Sequence, residues 1–131
     1  MIVVLDTNVV ISAIFFSKSL EPVLTHWASG AFSTALTKEI ADEYIDVYQR
    51  MFEKYEALAE QVFKAIIFKS SYYDPLPLPK QICEDPDDDK FISCALSCDA
   101  NYIVTGDKLL LAVNEIGHTK IITPKKFLQN F

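Results

Sequence analysis

Glycine is scarce in this chain. Its 131 residues include only three, Gly30, Gly106 and Gly117, and they are scattered. A phosphate-cradling P-loop or a G-x-G-x-x-G dinucleotide turn needs glycines gathered in one loop, so both are excluded. Cysteine is equally sparse: Cys83, Cys94 and Cys98 form no C-x-x-C pair. The two histidines, His26 and His118, and the lack of a G-x-S-x-G elbow leave little room for a serine triad or a zinc site. No apolar run approaches the roughly 18 residues of a membrane span, so no membrane role is expected. The stretch Met1–Leu5 has no basic start and meets an acid at Asp6, unlike a signal peptide. The cysteines are therefore expected as reduced thiols and the protein as cytoplasmic. Basic residues are in deficit, 12 against 18 acids, for a net charge of −6. A balance of that sign is unlike the usual nucleic-acid footprint. It directs attention to where the acids fall.

What the chain does have is apolar content. Half of it is hydrophobic and 23% is charged, which suits one folded domain over residues 1–131. Ile2–Leu5 is a β-branched run apolar on both faces, the mark of a central parallel strand. The trio Asp6-Thr7-Asn8 suits a helix cap, with an apolar helix over Val9–Phe16. A second helix opens at Ser19–Pro22 and ends near Gly30. Ala31–Ala35 reads as a short strand, and Thr37 caps a helix to about Tyr48. Glu53–Phe68 reads as an amphipathic helix with Tyr55, Leu58, Ala59, Val62 and Ile66 on one face. Tyr72–Lys80 carries Pro75, Pro77 and Pro79 and is a loop. A helix is expected from about Asp88 or Asp89, with Phe91, Ile92, Ala95 and Leu96 at helical spacing. Strands over Tyr102–Thr105 and Thr119–Ile122 flank a helix at Leu109–Val113, and Pro124–Leu128 closes the chain. Alternation of this kind predicts an α/β fold, a three-layer α/β/α sandwich around a mostly parallel sheet.

Ligands of such sheets sit at the carboxyl ends of the strands, near the switch in strand order. Asp6 follows the first strand and Asp107 follows the Tyr102–Thr105 strand. Glu84-Asp85-Pro86-Asp87-Asp88-Asp89 is a burst of acid at a helix start, where the helix dipole favours ionised carboxylates. Glu43 lies about 40° from Val47 around its helix and borders the packed face. Asp42 borders the same face at its other edge, so periodicity alone leaves the two open. Converging carboxylates repel and take up protons unless a hard cation such as Mg²⁺ or Mn²⁺ compensates. A metal in such a cluster supports phosphodiester hydrolysis without histidine, cysteine or a glycine loop.

The order DTNVVISA, then a mid-chain helical Glu, then DPDDDKFISCAL, then YIVTGDKLLL resembles PIN-domain proteins. The likeness runs from Ile2 to about Phe127 and is nearest the small, VapC-like toxin components of toxin–antitoxin pairs. DTN is a weak signature alone; DPDDDKF followed by VTGDKLLL is more specific. The resemblance implies metal-dependent hydrolysis of RNA phosphodiester bonds with one or two Mg²⁺ or Mn²⁺ ions. It implies Asp6, Glu43, Asp88 and Asp107 as catalytic and metal-holding acids. Asp88 is selected within the burst by its spacing from the Ala95-Leu96 pair, with Asp89 and Asp85 as alternatives. Thr7, Asn8 and Thr105 match small polar positions that orient ligands or water. The implied partners are RNA, a cognate antitoxin and a second copy of the chain.

Blander readings stand beside this one. The acid burst resembles an EF-hand at Asp85, Asp87 and Asp89, but Lys90 and Leu96 break that pattern where it needs Gly and Glu. A metal-dependent phosphatase with Asp6 as nucleophile would want an acid where Asn8 stands. A PIN-like domain that binds RNA or protein without turnover is the non-enzymatic alternative. Cys94 and Cys98 are expected in the core, and His26 and His118 in structural or surface roles.

Overall fold

The computed structural model describes residues 1–51 and 57–131. Strand β1 (Ile2–Leu5) leads into helix α1 (Thr7–Phe15), then α2 (Glu21–Ala28) and β2 (Ser33–Leu36). Helices α3 (Lys38–Met51) and α4 (Ala57–Lys69) follow, then a two-residue strand β3 (Ser71–Tyr72). A 3₁₀ turn at Pro86–Asp88 opens α5 (Asp89–Cys98), which leads to β4 (Tyr102–Val104) and α6 (Lys108–Leu111). Strands β5 (Glu115–Ile116) and β6 (Thr119–Ile122) and helix α7 (Pro124–Leu128) complete the chain.

The sheet order is β3-β2-β1-β4-β6-β5. Every pairing is parallel except β5 with β6. Strand β1 is central because it has no polar face: Val3, Val4 and Leu5 are all buried, as are Ile103 and Val104 of neighbouring β4. Burying each such side chain contributes roughly 1.5–3 kcal/mol, so the middle of the sheet anchors the fold. Helices on both faces make the sheet the middle of three layers, as alternation predicted. The chain steps from β1 outward to β2 on one side and later to β4 on the other. The switch point therefore lies between β1 and β4.

Several local expectations need correcting. Asp6 stands at the N-cap of α1 but makes no side-chain cap hydrogen bond; its carboxylate is used elsewhere. Leu58 does not share the packed face of α4. It is exposed, while Phe63 and Ile66 are buried. Tyr55 and the predicted start of that helix lie outside the described residues. The short strands β3 and β5 were not anticipated. Strand β2 starts two residues later than read, at Ser33. Thr37 does cap α3, its Oγ1 accepting from the Ile40 amide at 3.3 Å. Helix α5 ends at Asp99, whose φ of 50° stops the helical turn.

His26 stacks on Phe131 with ring centroids 4.3 Å apart. Exposed His118 lies 3.3 Å from the Asp99 carboxylate. Cys94 is fully buried, and burial pushes its thiol up to about 12, so it packs as an apolar side chain. Among the described residues no helix is long and apolar enough to cross a membrane.

Candidate active site

Parallel pairing brings the carboxyl ends of β1 and β4 side by side. The Asp6 amide donates to the Val104 carbonyl at 3.0 Å, continuing the ladder one step past β1. One residue past β4, Thr105 is fully buried and donates its hydroxyl to Asp6 Oδ2 at 2.6 Å. The same Thr105 oxygen accepts from the Asp107 amide at 3.0 Å. One hydroxyl thus ties the two strand-end acids together. Asp107 Oδ1 in turn accepts from the Leu109 amide at 2.9 Å and caps α6.

Glu43 reaches the same region from α3. Its helix is fixed to the sheet by Tyr44, whose hydroxyl donates to the carbonyl of Leu5, the last residue of β1. Glu43 Oε2 accepts from the hydroxyl of Thr7, the residue next to Asp6. Asp42 and Glu43, adjacent on α3, differ in their surroundings. Asp42 is exposed and pairs with Lys38 at 2.8 Å, while the Glu43 side chain is 26% exposed and turned inward.

Asp88 and Asp89 are adjacent but do different things. Asp89 accepts from the amides of Ile82 at 3.0 Å and Cys83 at 2.7 Å, pinning the loop ahead of the 3₁₀ turn. Asp85 accepts from the Asp87 amide at 3.0 Å and shapes the turn itself. These local roles replace the EF-hand reading. Asp88 instead faces Asp107, and its Oδ2 is a buried oxygen with no hydrogen-bond partner.

The electrostatics follow from that crowding. Burial raises Asp88 most, followed by its hydrogen bond to Asp107 and the charges of Asp107, Asp6 and Asp85; together they push it up to about 7. Burial also raises Asp6, and Glu43 and Asp107 add to the rise, while the Thr105 hydroxyl and the Asn8 amide pull the other way. Asp6 therefore feels the charges of Glu43 and Asp107, and Asp88 those of Asp107 and Asp6, although these acids come from parts of the chain far apart in sequence. Thr7 and Thr105 hold two of these acids, whereas Asn8 is exposed.

Sequence reasoning missed Lys90. Its side chain is only 7% exposed, and its Nζ donates to Glu43 Oε1 at 2.6 Å and to both Asp87 oxygens at 3.2 Å. Burial lowers the ammonium, but the hydrogen bonds and charges of Glu43 and Asp87 outweigh it and leave Lys90 above its ordinary value. The one signal was a cation directly after a run of acids.

The donor chemistry fits a hard divalent cation. It consists of carboxylate oxygens only, one of them buried and orphaned, with two of the acids pushed toward their neutral forms. Among the described residues no three His, Cys, Asp or Glu side chains are yet gathered closely enough to hold an ion.

A family model described as PIN domain matches residues 2–109. The uncharacterized protein MJ1680 of Methanocaldococcus jannaschii is 31% identical over 143 residues, covering 98% of this chain and 90% of that protein. Among solved structures, the chain resembles the crystal structure of VapBC2 from Rickettsia felis bound to a DNA fragment from their promoter. The likeness has a TM-score of 0.56 at 16% identity, covering 94% of this chain and 98% of the other.

Proposed function

The chain belongs to the PIN-domain family, and we propose that it is a Mg²⁺- or Mn²⁺-dependent endoribonuclease, the toxin of a toxin–antitoxin pair. The observation that carries this reading is the convergence of Asp6 and Asp107 at the β1–β4 switch point, with Asp88 and Glu43 facing them. Asp6, Asp88, Asp107 and Glu43 would hold the ion. Bound there, the ion supplies Lewis-acid stabilisation for charge developing on a phosphodiester.

The rest of the work belongs to the chain. Thr105 fixes the orientation of Asp6 and, through its amide contact, the start of the Asp107 segment. Thr7 fixes Glu43. Asp88 holds a proton near neutral pH and can release it when positive charge arrives. The net charge of −6 opposes RNA binding, and a divalent ion in the crevice lowers that barrier locally.

A cytoplasmic antitoxin and a second copy of the chain are the proposed protein partners. The relation to VapBC2 supports the first. So does an apolar cleft of about 1140 Å³ bounded by α1, α2 and α4, where Phe16 and Leu58 are exposed.

The decisive test is Asp6→Asn. Asparagine keeps an oxygen to accept from Thr105 and removes the charge. Divalent-dependent cleavage of single-stranded RNA should fall by at least about a hundredfold, while the melting temperature holds or rises. Millimolar Mn²⁺ should raise the melting temperature of the wild type by mass action on the folded state and should not raise that of the variant. Cleavage unaffected by Asp6→Asn would end the catalytic assignment.

A further inference from the structure

Lys90 is the one feature of the crevice that a cation-binding reading leaves unexplained. A lysine side chain with 7% exposure is costly unless its charge is answered. Here it is answered mainly by Glu43, at 2.6 Å, and by the outer acid Asp87 at 3.2 Å. Glu43 is thereby engaged at both oxygens, Oε1 by the ammonium and Oε2 by the Thr7 hydroxyl. Among the described residues the other three acids make no such contact with a cation. Thr105 holds Asp6, Asp107 caps α6, and Asp88 Oδ2 has nothing. The four carboxylates thus divide into an aspartate side open to an ion and a glutamate side already supplied with positive charge.

We propose that the Lys90 ammonium occupies the place a second cation would take beside Glu43, so that this crevice holds one divalent ion, on the Asp6–Asp88–Asp107 side. The proposal deepens the metal-dependent reading above and rests on it. Lys90 is a positioning residue. It fixes Glu43 and sets the number of ions, and it touches neither substrate nor the reacting atoms. The physics is simple exclusion by like charge. A second ion at Glu43 would have to displace an ammonium at contact distance and leave it buried and unpaired, which costs several kcal/mol in general. Glu43 in turn is held in place at both oxygens with no ion present.

The test counts ions. Mn²⁺ titration of the full chain, read by calorimetry and by electron paramagnetic resonance, should give one ion per chain and no signal from a coupled pair. Lys90→Gln keeps a hydrogen-bond donor but removes the charge. It should admit a second Mn²⁺ at least about tenfold more tightly than the wild type takes up any second ion, and the pair signal should appear. Lys90→Arg should restore a count of one.

A merely structural lysine would change the melting temperature in both variants and leave the count at one. That result, with Lys90→Gln folded by circular dichroism, overturns the proposal. So does a coupled Mn²⁺ pair in the wild type. Should Lys90→Gln fail to fold, the wild type alone decides. Crystals grown with Mn²⁺ should show one anomalous peak at the aspartates with Lys90 still on Glu43, and a second peak at Glu43 refutes the idea. A wild type that binds no Mn²⁺ removes the metal reading as well, whereas two ions remove only the role given to Lys90.

Discussion

The carboxyl-end crevice between β1 and β4 and the apolar cleft between α4 and the α1–α2 pair are built on opposite terms. In the crevice, burial works against the groups that are buried. Asp6 and Asp88 are both raised by desolvation first and by neighbouring acids second, Asp107 acting on both, and Asp88 Oδ2 is left without a partner. In the cleft, apolar side chains remain in water, with Phe16 61% and Leu58 68% exposed. Each region forgoes stability the chain could otherwise have, the first by crowding charge and the second by withholding burial. The sheet beneath makes this tolerable, because Val3, Val4, Ile103 and Val104 are fully buried. Unsatisfied chemistry at one place and unsatisfied surface at another are what a site for an ion and a site for a protein partner would each look like before their ligands arrive.

The comparison breaks first at Phe63. This side chain is buried beneath the cleft and stacks on Tyr48 with ring centroids 4.1 Å apart. Phe63→Ala should cost about 3–5 kcal/mol, the usual range for deleting a buried aromatic, and lower the melting temperature by roughly 10 °C or more. Cleavage per folded molecule should be unchanged, because the packing partner of Phe63 is Tyr48 at the far end of α3 from Glu43, which is held by Thr7 and Lys90. Thermal unfolding and a cleavage assay well below the transition check both halves. Lost activity in a fully folded variant would mean that the two regions are coupled and that the contrast between them is false.

How much of this was legible depends on how each feature is encoded. Strands β1 and β4 could be read because residues apolar on both faces have few other uses, and β6 because Ile121 and Ile122 follow a turn at Gly117. Strands β3 and β5 could not, since two residues carry no periodicity and exist as strands only through a partner's hydrogen bonds. The positions of Asp6 and Asp107 follow from parallel topology once strand ends are known. Glu43 was different. Its angle around α3 left Asp42 as a rival. Asp42 is taken locally by Lys38 one turn away, whereas the partners of Glu43, Thr7 and Lys90, are tertiary and invisible to periodicity. Asp88 and Asp89 are likewise equivalent in a run of acids until the Ile82 and Cys83 amides claim Asp89. Leu58 was misplaced because hydrophobicity marks an apolar face without saying what covers it.

The adjacent pair Asp88 and Asp89 sharpens the contrast within the crevice, since removing their charges should have opposite effects. Asp89→Ala leaves two loop amides without their acceptor and should destabilise by about 1–3 kcal/mol. Its urea midpoint should drop accordingly. A midpoint unchanged from wild type would mean the loop holds itself.

Asp88→Asn should show the smaller effect, and one that depends on pH. In the unfolded chain this carboxyl releases its proton near 3.8, but in the folded protein not until about 7. Below the first value both states are protonated and the group contributes nothing. Between the two values the unfolded state loses its proton first, so stability of the metal-free protein falls as pH rises. Above about 7 the penalty is complete. Because the side chain is partly solvated, screening reduces the penalty to roughly 1–2 kcal/mol. The melting temperature of the wild type in chelator should therefore decline by a few degrees from pH 5 to pH 8. Asp88→Asn should flatten that slope and sit above the wild type at the alkaline end. Saturating Mn²⁺ should erase the slope in the wild type, because an ion held by Asp88 favours the charged form that burial opposes. Equal slopes with and without the ion would place Asp88 outside the metal-holding set and leave Asp6, Glu43 and Asp107 to act alone.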